Sequence, residues 1–255
     1  MLIMFHSTLV LTVLSTLVMQ VLSSPVVFVA HEGADQVPLS SSTRRKYENG
    51  ELPPEENTPG WVDPRLHGGR LLDWAYGTLG EPLNVIISGL SDPYILTEPG
   101  LHAYAKSIGY SEECFGLHYG DIHNADLGDG LGRKPEQFLS RQDYFPVMGT
   151  CWESVRGGHH FRAWRQNGTL ADSGAWFLGA SLEKDSSKNH QIVPNGYNLG
   201  RDFLVEQATA GSHWKGMWWM ADVEWRAGLL QKGSRGVNHD IEQDGVVAIL
   251  TVNRL

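Results

Sequence analysis

The chain of 255 residues is poor in cysteine and in basic residues, and both shortages narrow its function. Two Cys exclude a disulfide-dense scaffold. No Cys-x-x-Cys pair or other zinc-type cysteine spacing occurs, which excludes a thiolate metal site. Twenty Lys and Arg stand against 29 Asp and Glu, a formal charge of −9, and the only basic cluster is Arg44-Arg45-Lys46. Nucleic-acid binding draws on Lys and Arg to release condensed counterions, so DNA and RNA are excluded as partners. Neither a Gly-x-Ser-x-Gly nucleophile elbow nor a His-Glu-x-x-His zinc-protease motif is present. With 41% hydrophobic and 19% charged residues, the chain has the apolar content for a packed core and is not disordered throughout. What it has in abundance is 29 Gly and 9 Trp, the composition of many tight turns and large aromatic surfaces.

From Leu2 to Leu22 there is no Asp, Glu, Lys or Arg, and Leu, Val and Met dominate. An apolar stretch followed by the small residues of Val21-Leu22-Ser23-Ser24 reads as a secretory signal over residues 1–23, which places the mature protein outside the cell. The start lacks a basic residue, and the apolar run resumes at Pro25, so an uncleaved signal anchor in the secretory pathway is the alternative. Once the signal is removed, no membrane span is expected. Asn167-Gly168-Thr169 is a glycosylation acceptor at an exposed Asn-Gly turn. In an oxidising compartment Cys114 and Cys151 most simply pair, and the alternative is two buried thiols.

Residues 24–60 read as a flexible polar arm, too poor in apolar side chains to offset its ordering entropy, with Arg44-Arg45 as a possible processing site. Residues 61–255 read as one globular domain. Pro82 to Ser88 has the pattern of a buried strand, and Leu101 to Ile108 that of a short helix after Pro99-Gly100. His159 to Arg165 alternates, with Phe161 and Ala163 on one face and His160, Arg162 and Trp164 on the other. With Gly174 to Leu182 it predicts an antiparallel hairpin. A helix from Gly200 to about Thr209 and a last strand from Val246 to Val252 complete an α+β expectation: a mixed or antiparallel sheet with a few short helices.

Two constellations carry possible chemistry. Two His and three Asp lie between His118 and Asp129, a mixture that suits zinc, manganese or iron. Their spacing matches no calcium loop, and Asp and Gly gather in turns for conformational reasons, so the segment is read as a glycine-rich loop and no metal ligand is assigned. The second constellation is the hairpin with His190 and the helix start at Arg201-Asp202. Arg offers a planar fork to phosphate or carboxylate, a helix start offers N–H donors, and His exchanges protons near neutral pH. His160, His190 and Asp202 are the catalytic candidates, and Arg162, Trp164 and Arg201 the ligand-binding ones. Solvated decoration of a sheet face is the bland alternative. Three Trp and two Met between Trp214 and Met220 are read chiefly as core, with a sugar-stacking platform as the alternative.

The stretches Gly157 to Arg165, Ala175 to Ser181, His190 to Pro194 and Arg201 to Val205 resemble, in residue type and order, the LssY C-terminal domain. Leu127 to Gly130, Gly149 to Ser154 and Gly200 to Asp202 are also similar to stretches of a group of secreted fungal proteins. The resemblance implies one domain but no activity. Some relatives join the domain to a membrane phosphatidic-acid-phosphatase module, which links it to lipids or phosphoesters by association only. Gln191 stands where the bacterial pattern has a second His, which speaks against a three-His metal site.

The sequence thus predicts a secreted globular protein with a His/Arg/Asp pocket for an anionic or polar ligand. The alternatives are a secreted hydrolase of phosphoester or lipid-type substrates and a cell-wall glycan-binding module using surface Trp. No cofactor is indicated.

Overall fold

A computed structural model describes residues 51–116, 120–145 and 147–255. The signal segment, the Arg44-Arg45 site and His118 lie outside the described residues.

The β-branched run Val85–Ile87 forms β1, a three-residue strand buried on both faces at the centre of an eight-stranded sheet. On one side it pairs antiparallel with β7 (Trp176–Leu182), which continues antiparallel to β6 (His159–Arg165), β5 (Phe138–Gln142) and β2 (Tyr110–Ser111). On the other side it pairs parallel with the C-terminal strand β10 (Val246–Arg254), followed antiparallel by β9 (Met217–Ala227) and β8 (Ser212–Trp214). A separate ribbon joins β3 (Asn124–Ala125) to β4 (Lys134–Pro135). With three α-helices among the described residues, this is a mixed-sheet α+β domain, as the sequence predicts. The hairpin is formed by the residues expected of it.

Because side chains alternate along a strand, each face of the sheet collects its own core. Phe161, Ala163, Trp176, Leu178, Ala180, Val85, Ile87 and Leu250 meet helix α1 (Glu98–Ser107) and helix α3 (Gly196–Thr209), whose Leu101, Tyr104, Leu204 and Ala208 are buried there. The opposite face gathers Trp164, Phe177, Ile86, Val247 and Ile249 under Trp61, Leu71, Leu83 and Leu127 from the surrounding loops. Each large apolar side chain so buried contributes roughly 1.5–3 kcal/mol. On β9 the same alternation buries Trp219 and Ala221 while Trp218 and Met220 stay exposed, so the Trp-rich run is core at one position and surface at the next.

Helix α1 starts where Thr97 accepts a hydrogen bond from the Gly100 N–H. Helix α3 begins at Gly196, four residues before the predicted start, after Asn195 takes a left-handed conformation. It lies directly on β7. A Cβ at Gly200 would stand 2.3 Å from the Ser181 Cα, so only glycine permits this approach.

Cys114 and Cys151 form the expected disulfide, joining the turn after β2 to helix α2 (Cys151–Arg156). Residues 51–60, read as the end of a polar arm, are held against the domain: the Leu52 N–H donates to the Gly228 carbonyl and Glu55 pairs with Arg226. Among the described residues no helix is long and apolar enough to cross a membrane.

Candidate functional site

The alternation that builds the core also builds a polar patch on the loop-covered face. Register aligns Arg141 of β5, His160 of β6 and Ser181 of β7 in one row across three strands, and Arg162 opposite Leu139 and Gly179 in the next. All four polar side chains are buried. Their charges are therefore answered inside the protein.

Arg141 donates from Nε to Glu113 at 3.2 Å, and from Nη1 to Glu153 on α2 at 3.1 Å and to Glu183 at 2.8 Å. Glu183 follows β7 and also meets His160 Nδ1 at 3.5 Å and His190 Nδ1 at 3.3 Å. Arg162 places Nη1 2.6 and 2.5 Å from the two carboxylate oxygens of Glu136. Its Nε is buried and has no hydrogen-bond partner among the described residues.

Facing this network is a second group, drawn from loops. Asp73 and Glu81 close one turn reciprocally: the Glu81 N–H donates to Asp73 Oδ1 at 2.6 Å, and the Asp73 N–H donates to the Glu81 carbonyl at 3.0 Å. Gly80 makes the closure possible, since a Cβ there would lie 2.0 Å from the Asp73 carbonyl oxygen. His123, from the glycine-rich loop just before β3, meets Asp73 Oδ2 through Nδ1 at 2.8 Å. The Glu81 side chain is different. Only 5% of the residue is exposed, yet among the described residues its carboxyl makes neither hydrogen bond nor ion pair.

Between the two groups lies a cleft of about 350 Å³, lined by Glu81 and His123 on one wall and by Arg141, Arg162, Glu183 and His190 on the other. A more open groove of about 560 Å³ runs along β5 past Glu112 and Glu136, but there Glu112 pairs with Lys106 and Glu136 with Arg162. The smaller cleft holds the unbonded Glu81 carboxyl and Arg162 with its unbonded Nε.

Burial, reinforced by the neighbouring Asp73 charge, pushes the Glu81 carboxyl up to about 7, although His123 and Arg162 pull the other way. Burial likewise raises Glu153 to about 7 against the attraction of Arg141. Glu183 goes in the opposite direction: burial opposes its charge, but His160, His190 and Arg141 hold it at about 2. Burial drives His160 down to about 3, so it is neutral at physiological pH, and the fixed cation bonded to Glu183 is Arg141. The hydrogen bond to Glu183 raises His190, and the hydrogen bond to Asp73 raises His123 in spite of its burial. Carboxyls driven apart in this way are the usual mark of an acid and base pair.

Two sets of possible metal ligands converge. The ligand atoms of Asp73, Glu81 and His123 lie within 4.8 Å of one another, and so do those of Glu153, Glu183 and His190. The second set is crossed by the Arg141 guanidinium, which bonds both of its glutamates and would repel a cation. In the first set no arginine or lysine is bonded to either carboxylate.

Of the residues singled out from sequence, His190 and Arg162 line the cleft, and His160 lies buried against Glu183 without lining it. Trp164 is fully buried in the loop-side core, with no surface to offer a ligand. Arg201 and Asp202 do not line the cleft. Because α3 starts at Gly196, Arg201 lies in its second turn rather than at its N-terminus, and its guanidinium is taken up by Asp202, Asp244 and the Val246 carbonyl. Asn167 is exposed at its turn. Within the glycine-rich loop Asp126 and Asp129 accept turn N–H groups, from Gly128 and Leu131, as their composition predicts. His123 leaves that pattern.

Sequence reasoning passed over Asp73, Glu81, Glu153 and Glu183. A signal existed for two of them: Glu81 immediately precedes the apolar run of Pro82 to Ser88, and Glu183 continues the alternation of β7 two residues after Ser181. An acidic residue at the end of a buried strand is placed where burial is expensive. Comparison with protein-family models, with curated proteins and with solved structures gives no match to this chain.

Proposed function

We propose that this is a secreted extracellular protein, related to the LssY C-terminal domain, whose cleft between the Asp73–His123 pair and the Arg141–Glu183 network binds a small polar ligand. The uncharged apolar N-terminal stretch and the disulfide support export, and the exposed Asn167 supports glycosylation. The observation that carries the ligand reading is the Glu81 carboxyl, withdrawn from solvent, facing the cleft and unbonded. A nearly buried carboxyl with no protein partner is poorly solvated, and a bound molecule that donates to it improves on that state. Arg162 Nε adds an unbonded donor on the opposite wall. Both guanidiniums are otherwise engaged by glutamates, so the ligand is better described as polar and hydroxyl-bearing than as a simple anion.

Thermal shift and calorimetry against sugars, glycan fragments, phosphoesters and lipid headgroups test this reading. A ligand should raise the melting temperature of the wild-type protein and lose affinity with Glu81→Gln. Binding that Glu81→Gln leaves unchanged refutes the assignment.

The second reading is a hydrolase. It is favoured by Glu81 and Glu183, two carboxyls on opposite walls, one near 7 and the other near 2. Glu81 would donate a proton to the leaving oxygen, and the ionised Glu183 would orient the attacking water, which releases its proton to solvent. Turnover of the bound ligand, abolished by Glu81→Gln, distinguishes the enzyme from the binding protein.

A further inference from the structure

The Asp73–Glu81–His123 cluster poses an electrostatic problem that its own hydrogen bonds do not resolve. Two carboxyls lie side by side, Asp73 fully withdrawn from solvent and Glu81 5% exposed, and one imidazole accompanies them. Asp73 accepts the Glu81 N–H on Oδ1 and meets His123 Nδ1 on Oδ2, which leaves each oxygen a further lone pair. Glu81 has its backbone fixed by the same turn, while its carboxyl faces the cleft unbonded. Such a pair is relieved either by a proton on one member or by a positive charge beside both, and a bound cation is one way to supply the second.

We propose that Asp73, Glu81 and His123 form a divalent-cation site of the zinc or manganese class on the wall of the cleft. The inference rests on reading this cleft as the ligand site and adds to it the group through which an oxygen-bearing ligand would be held. The ligand atoms of the three residues already lie within 4.8 Å of one another, so small side-chain adjustments bring them around one ion. One imidazole with two carboxylates is a donor set for zinc, manganese or ferrous iron. Calcium takes six to eight oxygens and magnesium a near-ideal octahedron of them, and neither set is offered here.

Three further features of the structure favour the site. The cluster opens on a cleft of about 350 Å³, which leaves coordination positions for water or ligand. The nearest guanidinium, Arg162, is neutralised at Nη1 by both oxygens of Glu136 and is bonded to none of the three proposed ligands. The three residues come from two segments, the turn that carries Asp73 and Glu81 and the loop that carries His123, fixed by backbone hydrogen bonds from 73 to 81, 80 to 236 and 74 to 124. A site so supported is organised before any metal arrives.

The test uses the purified, chelator-treated full-length secreted protein and metal ions alone. Zinc and manganese are titrated calorimetrically, with calcium and magnesium in parallel, and the absorption spectrum of bound cobalt reports coordination directly. The expected result is one high-affinity zinc or manganese per chain, a raised melting temperature, and a loss of affinity of about 10-fold or more in Glu81→Gln and in His123→Gln. Glu81→Gln keeps the shape of the side chain, so it separates lost binding from lost folding, and its circular dichroism spectrum should match the wild type. No saturable binding, or binding unaffected by both substitutions and so held by surface histidines, overturns the proposal. The two readings fail separately. Metal binding without any polar ligand leaves the cation site standing and removes the ligand reading, and ligand binding unaltered by chelation or added metal does the reverse.

Discussion

Asp73 and His123 lie fifty residues apart in the chain and meet through a 2.8 Å hydrogen bond in the wall of the cleft. The bond fixes which ring nitrogen of His123 is committed to the protein and ties the glycine-rich loop to the turn that carries Glu81. Asp73→Asn keeps an acceptor for the Glu81 N–H but weakens the charge-assisted contact with the imidazole. It should cost about 1–3 kcal/mol in denaturant unfolding. The His123 ring resonances in an NMR spectrum should move at the same time, which a change confined to the Asp73 turn would not produce.

Glu153 gives the protein a pH dependence opposite in sign to that of an ordinary salt-bridged carboxylate. Its folded value of about 7 stands above the ordinary 4.5, so below 4.5 both states hold the proton and stability is unaffected. As pH rises from 4.5 to 7 the unfolded chain releases its proton first, and the folded state loses roughly 3 kcal/mol at most. Glu153→Gln, which keeps an oxygen for Arg141, should remove this slope and leave the variant more stable than wild type at pH 8. Denaturation curves at pH 4.5, 6 and 8 measure it, and a variant less stable than wild type at pH 8 contradicts the account.

Arg162 and Glu136 form a buried ion pair in which removing Glu136 leaves the buried Arg162 guanidinium uncompensated. Glu136→Ala should destabilise by about 3–5 kcal/mol, and the double variant with Arg162→Ala by clearly less than the sum of the two single changes. Strict additivity in a double-mutant cycle would mean that the two side chains do not depend on each other.

Gly200 and Arg201 are neighbours on α3 with different failure modes. Gly200→Ala drives a methyl group into the Ser181 backbone and should cost about 3 kcal/mol or more, seen as a lowered melting temperature. Arg201→Ala breaks a surface-side fastening of α3 to Asp244 and should lower stability while leaving ligand affinity in the cleft unchanged. A selective loss of affinity in Arg201→Ala would return this residue to the binding site.

The readable parts of the fold were those with a strict period. β6, β7, α1 and β10 all announced themselves through alternation, helical spacing or β-branched runs. The short strands β2, β3 and β4 and the five-residue β5 did not, because two to five residues give no measurable period and take their conformation from partners distant in sequence. The site divided along the same line. His160 and Arg162 share a face that alternation dictates, and His190 stood out by composition. Asp73 and Glu81 sit in a turn whose shape depends on contacts with residues 123, 124 and 236, and no local pattern carries such contacts. Arg201 misled for an identifiable reason: the helix starts at a left-handed Asn195, and without that start the Gly-Arg-Asp stretch looks like a helix N-terminus.

The parallel pairing of β1 with β10 ties the first strand of the sheet to the last, with Val85 opposite Ala248 and Ile87 opposite Leu250. Until β10 is available, one edge of β1 has no neighbour and the Ile86 and Ile249 side of the core stays open. Closure of the sheet therefore waits on contacts of long sequence separation, 163 residues between Val85 and Ala248, and cannot nucleate from local structure alone.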